Sequence, residues 1–395
     1  MNFQFRVIRI SKIVAFVFIL ISLANLKSDN LTNDIKNVLG FDKGIHPVGF
    51  DLKTDSIRDK NTGKLLESAA DCKSCHKEIY ENWFSSRHRV AHTNKLYRHS
   101  FSVEPMEWCE NCHSPLKTIS SNSLYKPEEG ISCNVCHVRS GHIITEKLPS
   151  DAAKLYHQYK VVPDFASDKL CGSCHQFNFP TWQTLSNSSK TIQYSSLTMQ
   201  GTVEEWENSG FAKDSDCLDC HLSPGTKKSH NFRGGHSLED LKKSLMVEAK
   251  YVSSKTIMLK VKSIGIGHAY PTGDLFRALR LKVFSKDGVS VGEYILRKLY
   301  KVTSREERAD SSNPKKLLYD TRIPAPDEGQ NWAEKEFYLD RSDRPRSLKI
   351  ELWIDYLNDV EKILSPIDKK ESMKNIIRET IIIEDRNEYT EKESG

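Results

Sequence analysis

All ten cysteines of this 395-residue chain lie in copies of one short string, Cys-x-x-Cys-His. The copies are Cys72-Lys-Ser-Cys75-His76, Cys109-Glu-Asn-Cys112-His113, Cys133-Asn-Val-Cys136-His137, Cys171-Gly-Ser-Cys174-His175 and Cys217-Leu-Asp-Cys220-His221. No cysteine is left over, and the five copies occupy residues 72–221, a stretch of 150 residues or 30 per copy. Whatever this stretch folds into must present two thiols and one imidazole together, five times over.

The spacing selects among the uses of paired cysteines. Two thiols three residues apart reach the two vinyl groups of one porphyrin, and the histidine that follows turns under the ring to ligate iron. Zinc prefers two Cys-x-x-Cys pairs per tetrahedral site and has no need of a histidine directly after the second cysteine. Five pairs do not divide into such sites. A redox-active dithiol is expected singly beside a βαβ pattern, and a disulfide framework accounts for neither the uniform spacing nor the five histidines. The strings therefore predict five covalently bound haem c groups, with His76, His113, His137, His175 and His221 as proximal iron ligands. Thirty residues per haem leave little room for an aliphatic core, so the porphyrins are expected to supply the apolar surface that folding buries. Such crowding also brings haems close to one another.

Fourteen histidines, five of them in the strings, leave nine: His46, His88, His92, His99, His142, His157, His230, His236 and His268. Five are needed for complete six-coordination, so bis-histidine haems are the default and the others take ordinary surface or core roles. Met106 and Met199 are lesser alternatives. Fully ligated irons transfer electrons; an open iron would instead serve an oxidoreductase acting on a small nitrogen or sulfur oxyanion.

Arg6, Arg9 and Lys12 precede an apolar run from Ile13 to Ile21, the order of a secretory signal, with a cut expected after Ala24. The run is shorter than the ~20 residues of a membrane span, although a short N-terminal anchor stays open. Loss of residues 1–24 removes three positive charges and takes the net charge from +5 to +2. Haem propionates lower it further, away from the basic balance of a nucleic-acid binder. The expected location is periplasmic or otherwise extracytoplasmic, and the expected partners are redox proteins, membrane-associated ones included, with no nucleic acid.

The string CKSCHKEIYENWFSSRHRVA from Cys72 to Ala91 resembles the multihaem cytochrome c family that includes the tetrahaem electron acceptor of hydroxylamine oxidoreductase. In that pattern a haem motif is followed by the equivalents of Tyr80, Trp83, Ser86 and His88, which implies His88 as a distal ligand and the aromatics as porphyrin neighbours. A second family-like string runs from Glu129-Gly130-Ile131-Ser132-Cys133 to His142, with Val138 and Arg139 where relatives have Gly-Pro. His142 stands close enough after its own motif to reach a neighbouring iron. Ser229 to His236 is similar to the segment that closes the haem domain in larger relatives, making His230 and His236 candidates; the glycines before His236 let backbone approach a flat macrocycle. Gly267-His268-Ala269-Tyr270-Pro271-Thr272-Gly273-Asp274, with Arg277 after it, resembles a Gly-His-x-x-Pro-Thr-Gly signature whose histidine reaches a haem from the next domain. The resemblance covers roughly residues 70–360, but tetrahaem relatives have one haem fewer. The Cys-x-x-Cys-Lys string of catalytic nitrite reductases is absent.

The expected architecture is multidomain: a mainly α and irregular haem domain, then an all-β, immunoglobulin-like sandwich. Residues 25–70 read as a polar leader and 71–237 as the pentahaem cytochrome c domain. Alternation of apolar and polar residues in 245–253, 257–262, 278–284 and 348–356 predicts strands over 238–360, and Lys286-Asp287-Gly288 predicts a hairpin turn. Residues 361–395 read as a charged C-terminal tail, with a terminal helix or strand around the isoleucines from Ile376 to Ile383. The function expected is electron carriage between extracytoplasmic partners through closely spaced, mostly bis-His haems.

Overall fold

The computed structural model describes residues 57–384 apart from short stretches, the longest being 117–125, 184–192, 223–228 and 358–366. The expected signal or anchor at 1–24, His46, Met106 and the chain beyond 384 fall outside the described residues. No helix of the described part is long and apolar enough to cross a membrane.

The cysteine-bearing part is built from short helices. Four of the five motifs lie within or at the end of one: Cys133–His137, Asp168–His175, Cys217–His221 and, for its second half, Glu110–His113. In the first motif Cys72 lies in the helix Ala69–Lys73, and His76 caps the next helix, Lys77–Phe84. Helical spacing places residues three and four apart on one face, so where a string lies in one helix, as at Cys133–His137, Asp168–His175 and Cys217–His221, its two thiols and imidazole share that face. Side chains start two of these turns. Ser68 forms a capping box with Asp71, and Asp216 one with Asp219, satisfying backbone donors that so short a helix would leave bare. Small ladders fill the gaps: Gln176–Pro180 pairs with Tyr194–Gly201, and His142–Thr145 lies between Val138–Arg139 and Tyr159–Val161.

The rest of the chain is a β unit. Its strands are β1 (Leu245–Tyr251), β2 (Thr256–Ser263), β3 (Ala278–Phe284), β4 (Ser290–Leu296), β5 (Trp332–Tyr338), β6 (Ser347–Asp355) and β7 (Met373–Glu384), in the order β5-β2-β1-β7-β6-β3-β4. In β1, β2, β3 and β6 buried residues alternate with more exposed ones, which is why their pattern is readable in the sequence. Gly288, at φ 87°, makes the turn between β3 and β4. Strand β7 closes the arrangement: most of it pairs antiparallel with β6, and its last residues, Ile383 and Glu384, pair parallel with β1. The sheet wraps far enough for its two edges to meet, since the Phe337 ring on β5 stands 2.9 Å from where a side chain on Gly292 of β4 would begin. The result is a nearly closed sheet around Leu259, Leu281, Leu296, Ile350 and Leu352, all fully buried.

Residues 373–384 thus belong to the sheet, where the reading of 361–395 as a tail would end the β unit at 360. Ile376 and Ile383 are buried in the core and Ile377 and Ile381 pack against it, whereas Ile382 faces outward.

The two parts are stitched together. Trp182 Nε1 donates to the Ser311 carbonyl at 3.0 Å, the Tyr300 hydroxyl to the Thr198 carbonyl at 3.1 Å, and the Tyr356 hydroxyl to the Gly235 carbonyl at 2.8 Å. Arg322 and Glu205 form an ion pair at 2.7 Å between the two. Replacing Leu352 with alanine leaves a cavity on the sealed face of β6 and is expected to cost about 3 kcal/mol of β-unit stability. Denaturant unfolding followed by tryptophan fluorescence measures it.

Candidate haem sites

Three of the motif histidines each face one further histidine ring across a gap of nearly constant width. His88 stands 6.4 Å from His175, His230 6.2 Å from His137, and His268 6.4 Å from His221, between ring centres. Two metal–nitrogen bonds of about 2.0 Å, with the ~1.1 Å from nitrogen to ring centre on each side, require roughly 6.2 Å. Direct stacking would bring the rings closer. The donor sets therefore fit one iron between each pair of imidazoles.

Backbone and side-chain groups hold the other ring nitrogen of these histidines. Nδ1 of His113 lies 2.8 Å from the Ala91 carbonyl, that of His137 3.4 Å from the Ile144 carbonyl, and that of His268 3.0 Å from the Ala269 carbonyl. His221 Nδ1 meets the Arg233 carbonyl, and the Gln200 amide reaches His175 Nδ1 at 2.9 Å. Where a carbonyl accepts from Nδ1, as at His113, His137, His221 and His268, Nε2 is the nitrogen left for a metal, the arrangement that fixes ring orientation in metal sites. At His175 the Gln200 Nε2 donates and Nδ1 accepts. Burial favours the neutral form of two of the rings: it pushes His88 down to about 4, with His221 adding, and His175 down to about 3, with His88 and His221 adding.

Two of the opposing histidines, His88 and His268, are positioned by contacts far along the chain. Gly130, at φ 59°, takes a conformation suited to glycine, and a side chain there would begin 2.5 Å from the His88 carbonyl oxygen. The Ile131 N–H donates to that carbonyl, and Trp83 Nε1 donates to the Ile131 carbonyl at 2.7 Å. The Phe232 ring, 4.4 Å from His88 and 5.8 Å from His230, separates two of the pairs. The His268 loop is pinned by reciprocal hydrogen bonds between Tyr270 and Ile323 at 2.8 and 2.9 Å. Its Thr272 hydroxyl donates to Glu205 at 2.9 Å. Gly273, at φ 91°, is the turn residue, leaving room for the Arg277 guanidinium.

The remaining histidines divide. His157, which no motif marks, lies close enough to His76 to be pushed down by it, after burial, and its Nδ1 is buried without a hydrogen-bond partner. Its signal was only its type. His92 is paired with Glu110 at 3.2 Å, and His99 is buried on the helix Lys95–Val103. His236 is not set opposite a motif ring: it stacks on Tyr356 at 4.2 Å, and Arg277 approaches its Nε2 at 3.5 Å. His142 begins the strand His142–Thr145. Tyr97 stacks on His113 with ring centres 4.0 Å apart.

The thiols of different motifs are neighbours. Cys72 lies beside Cys133, Cys112 beside Cys174, and Cys171 beside Cys217. The Cys112 partner, then burial, raises the Cys174 thiol well above the usual range. None of the ten cysteines is in a disulfide.

Residues 71–138 and 170–243 match the family model for cytochrome c554 and c-prime. No curated protein matches. Among solved structures, a penta-heme cytochrome c552 from Thermochromatium tepidum is similar in fold, with a TM-score of 0.60 and 17% identity, over 80% of this chain and 98% of that one. The motifs and the family match together support a multihaem c-type cytochrome with covalently bound haem, made for electron transfer. Replacing His268 with alanine should turn one low-spin haem high-spin without loss of covalent haem. An unchanged visible and paramagnetic resonance spectrum would remove His268 from the ligands.

Proposed function

We propose that the chain is an extracytoplasmic pentahaem cytochrome c that carries single electrons between redox partner proteins. The reading rests on one observation above all: three pairs of imidazoles, each pairing a motif histidine with another histidine, separated by 6.2–6.4 Å. Haems are attached at Cys72 and Cys75, Cys109 and Cys112, Cys133 and Cys136, Cys171 and Cys174, and Cys217 and Cys220. The ligand pairs are His175 with His88, His137 with His230, His221 with His268 and, by proximity, His76 with His157.

Bound haem supplies an iron that gains or loses one electron; the polypeptide decides where and how easily. Ligation by two neutral imidazoles gives lower potentials than Met/His ligation. Carbonyls on Nδ1 of His137, His221 and His268 hold those rings against rotation, which limits ligand rearrangement when the iron changes charge. Thiol contacts between motifs one and three, two and four, and four and five support a chain in which neighbouring porphyrins approach. The β unit acts as a brace of immunoglobulin-like kind that supplies His268 and a docking face. An oxidoreductase of the sort served by the tetrahaem relatives is the first partner to try. Residues 1–24 direct export.

Protein-film voltammetry tests the carrier role. Reversible one-electron waves totalling five electrons per chain are expected, with no sustained current on adding nitrite, hydroxylamine or sulfite. A catalytic current with any of these would make the protein an enzyme.

A further inference from the structure

Two arginines of opposite origin lie within electrostatic reach of each other near the His88–His175 pair, Arg277 bearing on both Arg87 and His175. The Tyr270 hydroxyl and Arg277 Nη1 converge on Gly235, 3.5 and 3.6 Å from where a side chain there would begin. Arg87 precedes His88 in the cysteine-bearing part, and Arg277 follows the His268 loop in the β unit. Among the described residues neither forms an ion pair with a carboxylate: Arg277 donates to the Thr272 carbonyl at 3.1 Å and approaches His236, and Arg87 has no side-chain hydrogen bond. Arg87 is open to solvent on one side yet hemmed in, so desolvation and then Arg277 lower its pKa. Lys374 adds a further positive charge, felt by His236, which burial together with Arg277 and Arg87 pushes down to about 2. The nearby Tyr270 hydroxyl is buried without a hydrogen-bond partner among the described residues, and it belongs to the same cluster, as Arg277 acts on it. Tyr356 closes one side, stacked on His236 and hydrogen-bonded to the Gly235 carbonyl.

Like charges brought together with a bare phenol are unfavourable unless an anion joins them, because each group loses hydration without gaining a partner. A carboxylate fits: it accepts paired N–H bonds from guanidinium and an O–H bond from phenol. The nearest source is a haem. We propose that Arg87, Arg277 and Tyr270 bind a propionate of the haem ligated by His88 and His175, so that this haem locks the β unit onto the cysteine-bearing part and has its potential raised by the two arginines. The assignment rests on the haem reading above. It gives Arg277, so far only a residue near a signature loop, a positioning role.

The test is potentiometry of the full-length holoprotein in anion-poor buffer, comparing wild type with Arg277→Gln, Arg87→Gln and Arg277→Lys. Removing a positive charge beside a propionate favours ferric iron, so each glutamine variant should shift one haem to lower potential. Covalent haem content and low-spin signals should stay as in wild type. Arg277→Lys keeps the charge and should restore most of the potential, so it reads the proposal even where Arg277→Gln folds poorly. All potentials unchanged in both glutamine variants would overturn it. So would a free-anion site, recognised when nitrite or sulfate gives a saturable, Arg277-dependent spectral change while the anion-free potentials match wild type. Fewer than five haems in the wild-type protein would instead overturn the underlying pentahaem reading, which the haem assay distinguishes.

Discussion

Among its described residues the cysteine-bearing part builds no aliphatic core of its own, and the rest of the structure depends on that. Every buried member of the contiguous hydrophobic cluster lies from Leu241 to Ile383, in or beside the β unit. Before Leu241 the buried apolar residues, such as Trp83, Leu116, Ile144, Phe165 and Val203, are separated along the chain and outside that cluster. Short helices of four to eight residues carry the motifs, and such helices are not stable alone. Something apolar must be buried among them, and flat macrocycles attached through paired thiols meet that need. Among the described residues the Tyr270 hydroxyl meets no hydrogen-bond partner and Arg87 and Arg277 meet no carboxylate, the same need in polar form.

The β unit takes the opposite route. Its alternating strands bury Leu, Ile and Val on one face and close upon themselves through β7, giving a body that needs no cofactor to define its shape. From that body the His268 loop and Arg277 extend back toward the motifs. Rigidity of the sheet, of the Tyr270–Ile323 bridge and of the Gly273 turn becomes fixed placement of an imidazole opposite His221. Dynamics follow from this division: loss of haem should loosen the first part while leaving the sheet folded.

Much of this was legible before any coordinates. The five cysteine strings name their chemistry, and period-two alternation marks β1, β2, β3 and β6 with boundaries within about two residues. His88, His230 and His268 stood out through the strings around them, and each faces a motif histidine. His236 stood out for the same kind of reason yet sits against Tyr356 and Arg277, because a local string does not say which way a ring turns. His157 had no string at all; its approach to His76 is a long-range contact that only folding creates. Strand β4 carries Gly292 and β5 reads WAEKEFY, so neither alternates cleanly. Strand β7 was veiled by charges at Lys374, Arg378, Glu379 and Glu384, which lie toward solvent while the isoleucines between them do not all do so.

The central claim is that all five motifs carry covalent haem. Intact-protein mass spectrometry, under denaturing and reducing conditions, of the chain matured in a host with a haem-attachment system tests it most directly. The account predicts one dominant species heavier than the processed polypeptide by five haems, resistant to acid–acetone extraction. A polypeptide of unmodified mass, or one saturating at fewer than five haems, would contradict it.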